Sequence, residues 1–239
     1  MSDNPTARLP VQQGDPPRRR RRRRGPGCLV VVLVIVLALL VVADRAAAAY
    51  ADNRAATEMQ ANGFSSKPHV TIEGFPFLTQ LASRDFHDVQ ISATGEKAGP
   101  VEIDHINATG TDVRLNSGFN GGTVARVSGT GLITFASLAG ASSVPGVKIS
   151  AVSADEVKLS IDLDVISGSA VARVTKVGSS QVNVRVISAS GLPVSALGSL
   201  ADFTIAIPRL PMGMTLQSVS VSAQGVLIHI TGQNVSFGS

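Results

Sequence analysis

Alternation of apolar and polar residues from residue 69 onward is the feature that most limits what this chain can fold into. In the clearest case, the odd positions from 157 to 165 are Val, Leu or Ile, whereas the even positions between them are Lys, Ser or Asp. A period of two is typical of a strand with one buried face. Similar patterns at 147–151, 182–186, 219–221 and 226–230 predict further strands.

Short breaks of Gly, Ser and Gln separate these strands, at Ser167–Ser169, Gly178–Ser180 and Gln224–Gly225. Breaks of this length join antiparallel neighbours, because parallel pairing requires a long crossover. A sheet that is apolar on one face must cover that face. Three stretches with Leu and Phe at helical spacing, 75–82, 132–139 and 194–203, are predicted to supply short helices on its concave side.

The N-terminal part has a different composition. Residues 1–17 are polar and rich in proline, and seven consecutive arginines, Arg18–Arg24, follow them. The next sixteen uncharged residues, Cys28–Ala43, include thirteen Val, Leu or Ile. This composition predicts a membrane helix, and the preceding arginines predict a cytoplasmic N-terminus. Because the arginines adjoin an apolar segment, topology is favoured over nucleic-acid binding or nuclear targeting.

The apolar segment allows two interpretations, an uncleaved anchor or a signal peptide. Ala47–Ala49 and Ala49–Ala51 resemble cleavage sites. Asp44 and Arg45 interrupt the approach to them, however, and Ala46–Gln60 predicts a continuing helix that Gly63 would end. An anchor is favoured. The predicted organisation is a disordered Arg-rich cytoplasmic tail (1–27), a transmembrane segment (28–45) and an extracytoplasmic β-rich domain (46–239).

The charge of the outer domain argues against nucleic acid as its ligand. Eight of the 21 Lys and Arg residues and two of the 17 acidic residues precede position 44, which leaves 13 basic and 15 acidic residues, a net charge of −2. The high pI therefore belongs to the tail, and no basic domain is indicated. Cys28 is the only cysteine, so the outer domain has neither disulfides nor thiolate metal ligands.

Recognisable catalytic patterns are absent from the sequence. The four histidines have no HExxH or Cys/His spacing, and there is no GxSxG, SxxK, GxGxxG or Walker A motif. Asp162 and Asp164 share a predicted strand face, but Lys158 and Ser160 lie on it too, which favours a solvated face. The sequence therefore predicts a protein that is not an enzyme and has no metal or cofactor. Its apolar face is either a filled core or the wall of a cavity for acyl chains.

Three stretches resemble the LmeA family of actinobacterial phospholipid-binding proteins. They are Ala43–Ala56, which leads out of the apolar segment; Val70–Leu81, with the sequence VTIEGFPFLTQL; and Leu210–Val219, with the sequence LPMGMTLQSV. The second is the most specific. Together they span about 44–239, essentially the whole outer domain.

The resemblance implies an α+β, β-rich fold in which a curled antiparallel sheet wraps over short helices, like the tubular lipid-binding domains, after one N-terminal transmembrane helix. It also implies phospholipid binding at the cell envelope, with a link to lipid or lipoglycan assembly. The expected partners are phospholipid, the membrane and envelope-biosynthesis proteins, and no nucleic acid. The residues predicted to line the cavity are Phe75, Phe77, Leu78, Leu81, Leu132, Phe135, Leu138, Leu197, Leu200 and Phe203.

Two other hypotheses compete with lipid binding. The first is a structural or interaction protein of the envelope with a filled core. The second is an enzyme acting on lipid-linked glycans, for which Asp162 and Asp164 would be the candidates.

Overall fold

A computed structural model describes residues 26–98, 101–141, 146–163, 166–191, 202–206 and 213–238. Its first element, α1, is one helix, Pro26–Ala61. The helix is long and apolar enough to span a membrane, as an anchor or as a signal sequence, and its side chains from Leu29 to Val42 are exposed. The predicted N-terminal apolar helix is therefore confirmed.

The end of α1 follows the sequence prediction closely. The Phe64 N–H donates to the Met59 carbonyl at 3.3 Å, and the Gly63 N–H donates to the Gln60 carbonyl at 3.4 Å. Gly63 adopts a φ of +130°, which a residue with a Cβ rarely does. These two bonds form a Schellman motif, which ends the helix and turns the chain towards the first strand.

The residues from Val41 onward form a compact unit, separate from the unit that precedes it. Its elements in chain order are β1 His69–Glu73, α2 Phe77–Ser83, β2 Asp85–Ala98, β3 Val101–Leu115, β4 Gly121–Thr134, α3 Phe135–Gly140, β5 Val147–Ala151, β6 Glu156–Leu163, β7 Ile166–Val177, β8 Gln181–Ser190, β9 Asp202–Ala206, β10 Met214–Val221 and β11 Gly225–Gly238.

These strands form two antiparallel sheets. The six-stranded sheet has the order β1-β2-β3-β4-β11-β10, and the five-stranded sheet has the order β5-β6-β7-β8-β9. The β-rich α+β class and the antiparallel pairing are confirmed. The expectation of a single sheet is corrected, because β4 pairs with β11, from Gly225↔Thr134 to Gly238↔Gly121, and not with the next strand along the chain.

Two local predictions are also corrected. Ser167–Ser169 was predicted to be a break but lies inside β7, where Ser169 pairs with Ser160 on one side and Ser190 on the other. Pairing of all three residues with β6, and of Ser169 with β8 as well, holds these small residues in a strand. The predicted helix at 194–203 lies mostly outside the described residues, and its last residue, Phe203, is on β9, opposite Val184.

The helix predictions at 75–82 and 132–139 correspond to α2 and α3, but both helices begin later than predicted. Phe75 and Pro76 precede α2, with Pro76 as its N-cap. Residues 132–134 still belong to β4, and the side chain of Thr134 caps α3 by accepting from the Ser137 N–H at 3.2 Å. Both cap residues have extended backbone, but only Thr134 caps its helix through a side-chain hydrogen bond.

Candidate functional site

One face of the six-stranded sheet is apolar across its full width. Side chains of residues that pair across strands point to the same face. One such row is Val70, Ile91, Ala108, Gly129, Ile230 and Leu216. The next row on this face is Ala93, Ile106, Gly131, Ile228 and Val219. The opposite face is polar and carries Asn107, Thr130, His229 and Ser218 in one row.

The helix cluster, which consists of Ala48, Phe77, Phe86 and Val113, fills one end of this apolar face. Phe77 is 1% exposed, and its ring centroid lies 6.0 Å from that of Phe86 in a tilted arrangement. Alanines on the facing side of α1 permit this close packing. The helix cluster is therefore an ordinary filled core.

Buried polar groups fix the helices over the helix cluster. Asp44 Oδ1 accepts from the Leu78 N–H at 2.8 Å, and Asp52 Oδ1 accepts from the Ile72 N–H at 2.8 Å. The Gln80 amide donates to the Glu73 carbonyl at 3.2 Å and accepts from the His87 N–H at 3.1 Å. Each of these bonds joins a side chain to a main-chain group of another segment, and so ties α1, α2 and the first two strands together.

The sheet cluster lies where the two sheets meet, and it is made of smaller residues. Its members are Val157, Ala172, Val174, Val182, Leu216 and Val221. The apolar side chains that pack around it, several of them larger, are only half-buried: Phe135, Ile149, Leu159, Val184, Val186, Val219, Ile228 and Ile230. Among the described residues, the largest side chains that are less than 2% exposed are Phe77 and Leu216. The surface around the sheet cluster is thus apolar but incompletely covered.

Glycine enlarges this surface at the centre of the six-stranded sheet. A Cβ built on Gly131 would meet Ile103 Cγ2 at 3.6 Å, which is ordinary van der Waals contact, with nothing nearer. The apolar face therefore has room at this position for more atoms than the chain supplies. An apolar surface with such space is suited to a ligand that is itself apolar.

Two concavities lie on the opposite, polar face. One has a volume of about 620 Å³ and includes Thr109, Arg126 and Thr231 in its lining. The other has a volume of about 370 Å³ and includes Asn107, Ser128 and His229. Their hydroxyl, amide and guanidinium groups would stay hydrated, so an acyl chain would gain little there. We place the candidate site on the apolar face because an acyl chain is stabilised by apolar contacts, although both of these concavities lie on the polar face.

The carboxylates near the apolar face have structural roles. Burial raises the pKa of Glu96, but hydrogen bonds from Ser65 and Ser66 outweigh that effect, and the pKa lies below its usual value. The Ser65 N–H donates to Glu96 Oε2 at 2.7 Å. Asp104 follows the same pattern: burial raises its pKa, whereas bonds from Thr134 and Ser137 bring it below the usual value. Both carboxylates accept backbone and hydroxyl hydrogen bonds, Glu96 from the segment after α1 and Asp104 from the start of α3, so they are structural anchors and not proton donors.

No group of three or more His, Cys, Asp or Glu within the described ranges could hold a metal ion. The Asp162 side chain and the whole of Asp164 lie outside those ranges, so the structure does not describe the predicted carboxylate pair.

The predicted lining residues do not form one group. Phe77 is in the helix cluster and Leu81 packs against it, whereas Phe135 packs against the sheet cluster and Leu138 is half-buried on α3. Phe75 and Leu78 are exposed. Leu132 pairs with His105 and so lies on the polar side of β4. Leu197, Leu200 and the Phe203 side chain lie outside the described residues.

Sequence reasoning missed the contribution of β10 and β11. Alternation at 226–230 identified a strand, but only the pairing of β11 with β4 places Ile228 and Ile230 beside Gly131 and Gly129. No local pattern in the sequence specifies that pairing.

A family model described as LmeA-like phospholipid-binding matches residues 42–231, about four fifths of the chain. No curated protein and no solved structure matches the chain.

Proposed function

We propose a function from one premise: this chain belongs to the LmeA-like phospholipid-binding family. In our proposal the protein binds phospholipid without catalysis at the outer face of the cytoplasmic membrane. The apolar face of the six-stranded sheet receives one or two acyl chains. The sheet curls around them, and the five-stranded sheet closes the far side, as in the tubular lipid-binding domains.

The incompletely covered apolar surface around the sheet cluster is the observation that carries this proposal. A filled core would bury its large side chains, yet Ile228, Ile230 and Phe135 keep part of their surface exposed. Each CH₂ group of an acyl chain transferred from water to such a surface contributes about 0.8 kcal/mol. Ten such groups would supply about 8 kcal/mol, enough for stable retention.

The proposed lining keeps part of the predicted set and extends it. Leu81, Phe135 and Leu138 remain in it, as do Leu197, Leu200 and Phe203, and Ile106, Ile228 and Ile230 are added from the register of the sheet. Phe77 forms the closed end of the cavity. Leu132 is reassigned to the polar face, and Phe75 and Leu78 to the exposed surface.

In this proposal α1 is an uncleaved anchor with a cytoplasmic N-terminus. The seven arginines before the apolar segment support that orientation, and no comparable cluster follows it. Sequencing the N-terminus of the mature protein tests the anchor. We expect residues before Cys28 to be retained, and a start near residue 50 would contradict the anchor.

Substitution of Gly131 tests the binding site. We expect Gly131→Leu to fill the apolar surface and displace lipid, and native mass spectrometry of the full chain in detergent would count the phospholipids that remain bound. Thr130→Leu adds the same side chain at the neighbouring position on the polar face and is the matched control.

The two variants separate lipid binding from the competing hypothesis of a filled core. We expect bound phospholipid to fall about tenfold or more in Gly131→Leu, since about 1.4 kcal/mol of lost binding energy suffices for that, and to be unchanged in Thr130→Leu. Absence of bound phospholipid from the unmodified chain, or equal retention in both variants, would favour a structural protein.

A further inference from the structure

Three exposed apolar side chains lie around the short helix α2. Phe75, just before the helix, is 63% exposed; Leu78, in its first turn, is 41% exposed; and Phe119, beside the end of the helix, is 53% exposed. Phe75 and Leu78 lie within one turn of each other at the start of the helix, whereas Phe119 lies near its other end, about 10 Å along the helix axis. Exposed apolar side chains grouped in this way mark a surface that contacts an apolar partner.

An arginine covers each of the two phenylalanines. Arg45 Cζ lies 5.2 Å from the ring centroid of Phe75, and Arg84 Cζ lies 5.9 Å from that of Phe119. Arg84 is the C-cap of α2. The surface therefore presents an aromatic ring and a guanidinium group at each end of one helix. We call Phe75, Leu78, Phe119, Arg45 and Arg84 the docking rim.

Hydrogen bonds hold the Phe75 end of the docking rim to one point on α1. Arg45 donates to the Gly74 carbonyl at 2.9 Å and to Asp44 Oδ2 at 2.8 Å, while Asp44 Oδ1 accepts from the Leu78 N–H. The Phe75 side chain is thus fixed next to Arg45, and the first turn of α2 is fixed next to Asp44. Phe75 and Leu78 are thus held in a fixed position against α1.

The point of attachment is the place where the proposed membrane span ends. Asp44 and Arg45 are the first charged residues after the uncharged run from Cys28 to Ala43. If that run spans the bilayer, these two residues lie among the lipid headgroups, and the side chains bonded to them lie at the same level. This step rests on the anchor in the proposed function.

We propose that the docking rim inserts into the headgroup region of the bilayer that α1 spans, as a second attachment of the outer domain. Aromatic and aliphatic side chains bury apolar area at the boundary with the acyl chains. A guanidinium group binds phosphate oxygens through paired hydrogen bonds. The pairing of rings with arginines therefore fits a phospholipid surface, and best an anionic one. Phe77, which lies between Phe75 and Leu78 in the chain, belongs to the helix cluster, so the rim adjoins the apolar interior.

Tryptophan fluorescence in reconstituted full-length chain tests the proposal, because the native chain contains no tryptophan. Phe75→Trp and Phe119→Trp each place one reporter in the rim. Ile187→Trp, on β8 of the five-stranded sheet, is the matched control at another exposed apolar position. Each variant would be inserted into vesicles of phosphatidylcholine and phosphatidylglycerol, with and without bromine on the acyl chains.

We expect the two rim reporters to emit at shorter wavelength than the control and to lose most of their emission to the brominated chains, whereas Ile187→Trp keeps its emission. Equal emission and quenching in all three variants would overturn the proposal. Quenching that persists after transfer of the chain to detergent would come from lipid held in the cavity, and would also overturn it. So would protection from aqueous acrylamide without quenching by bromine, which would indicate that a second protein copy covers the rim.

The same vesicles separate this inference from the proposed function. Chain that stays in the vesicles after alkaline washing, and still retains phospholipid in native mass spectrometry, but carries unquenched rim reporters, would overturn the docking rim alone. Release of the chain by alkali would instead contradict the anchor.

Discussion

The helix cluster and the sheet cluster bury the same apolar face in different ways. In the helix cluster, two phenylalanine rings are sealed by alanines of α1, and the polar groups beside them are hydrogen-bonded. In the sheet cluster, small residues and Leu216 are buried, but the larger neighbours remain half-exposed. The helix cluster is a close-packed core, whereas the sheet cluster is bordered by apolar surface that other side chains do not cover.

The difference arises from what covers each end. A helix with alanine on its inner side can approach a sheet closely and leaves no gap. At the sheet cluster two twisted sheets meet, and the facing side chains leave part of the apolar surface uncovered. A close-packed protein interior leaves few voids larger than a water molecule. Incomplete packing at one end only is therefore informative about function.

The largest predicted effect is in the helix cluster. We expect Phe77→Ala to lower the free energy of unfolding by about 3–5 kcal/mol, because it leaves a cavity in a filled core. Ile228→Ala near the sheet cluster should cost clearly less, since its side chain is already half-exposed. Urea denaturation measures both losses. Phe75→Ala, at an exposed position, is the control, and its free energy of unfolding should stay within about 0.5 kcal/mol of that of the unmodified chain. Equal losses for Phe77 and Ile228 would abolish the contrast between the two ends.

A smaller effect is expected for Glu96, which fastens the segment after α1 to β2. Replacing it by Gln weakens charged hydrogen bonds to Ser65 and Ser66, at a cost of about 1–3 kcal/mol near neutral pH. Because the pKa of Glu96 is lowered in the folded state, its contribution is present above the usual carboxyl pKa of 4.5 and is lost as the pH falls through the lowered value.

The pH dependence provides the check on Glu96. Denaturation curves of Glu96→Gln and the unmodified chain should differ near neutral pH and converge in acid. Glu102→Gln, at an exposed position on β3, is the control and should match the unmodified chain throughout. A difference between Glu96→Gln and the unmodified chain that is the same at every pH would rule out a role for the charge.

A still smaller change in stability is predicted for Gly131→Leu. Overpacking a filled core costs about 1–3 kcal/mol, whereas added side-chain atoms on an uncovered surface should leave the free energy of unfolding within about 0.5 kcal/mol. Thermal and urea denaturation distinguish these outcomes, and Thr130→Leu controls for the added leucine. A loss of more than about 1 kcal/mol in Gly131→Leu alone would show that the sheet cluster is packed like the helix cluster.

The smallest effect is expected for Arg84→Gln in the docking rim. Its contact with Phe119 is on the surface, so the free energy of unfolding should change by less than about 0.5 kcal/mol. Its role in the proposed docking should appear instead as reduced quenching of a tryptophan at position 119 in anionic vesicles. A large loss of stability would mean that the contact between Arg84 and Phe119 contributes to the packing of the helix cluster and is not a surface contact.

Local structure was predictable wherever a few neighbouring residues determine it. Alternation located β5, β6, β8 and β11, helical spacing located α2 and α3, and Gly63 marked the end of α1. The division into two sheets was not predictable, because it depends on β4 pairing with β11 across a long stretch of chain. Leu132 has a different cause: it was predicted to begin a helix, but β4 extends to Thr134, so Leu132 lies in a strand on the polar face.

The pairing of β4 with β11 also sets an order of assembly. Val226 pairs with Ile133, and all five strands of the other sheet lie between them in the chain. During synthesis, β1 to β4 and then β5 to β9 emerge before β11 can join its partner. For that interval the edge of β4 and its apolar side are open. In the proposed function, a lipid that enters then would be enclosed when the last strand pairs, so loading and completion of the fold would be a single event.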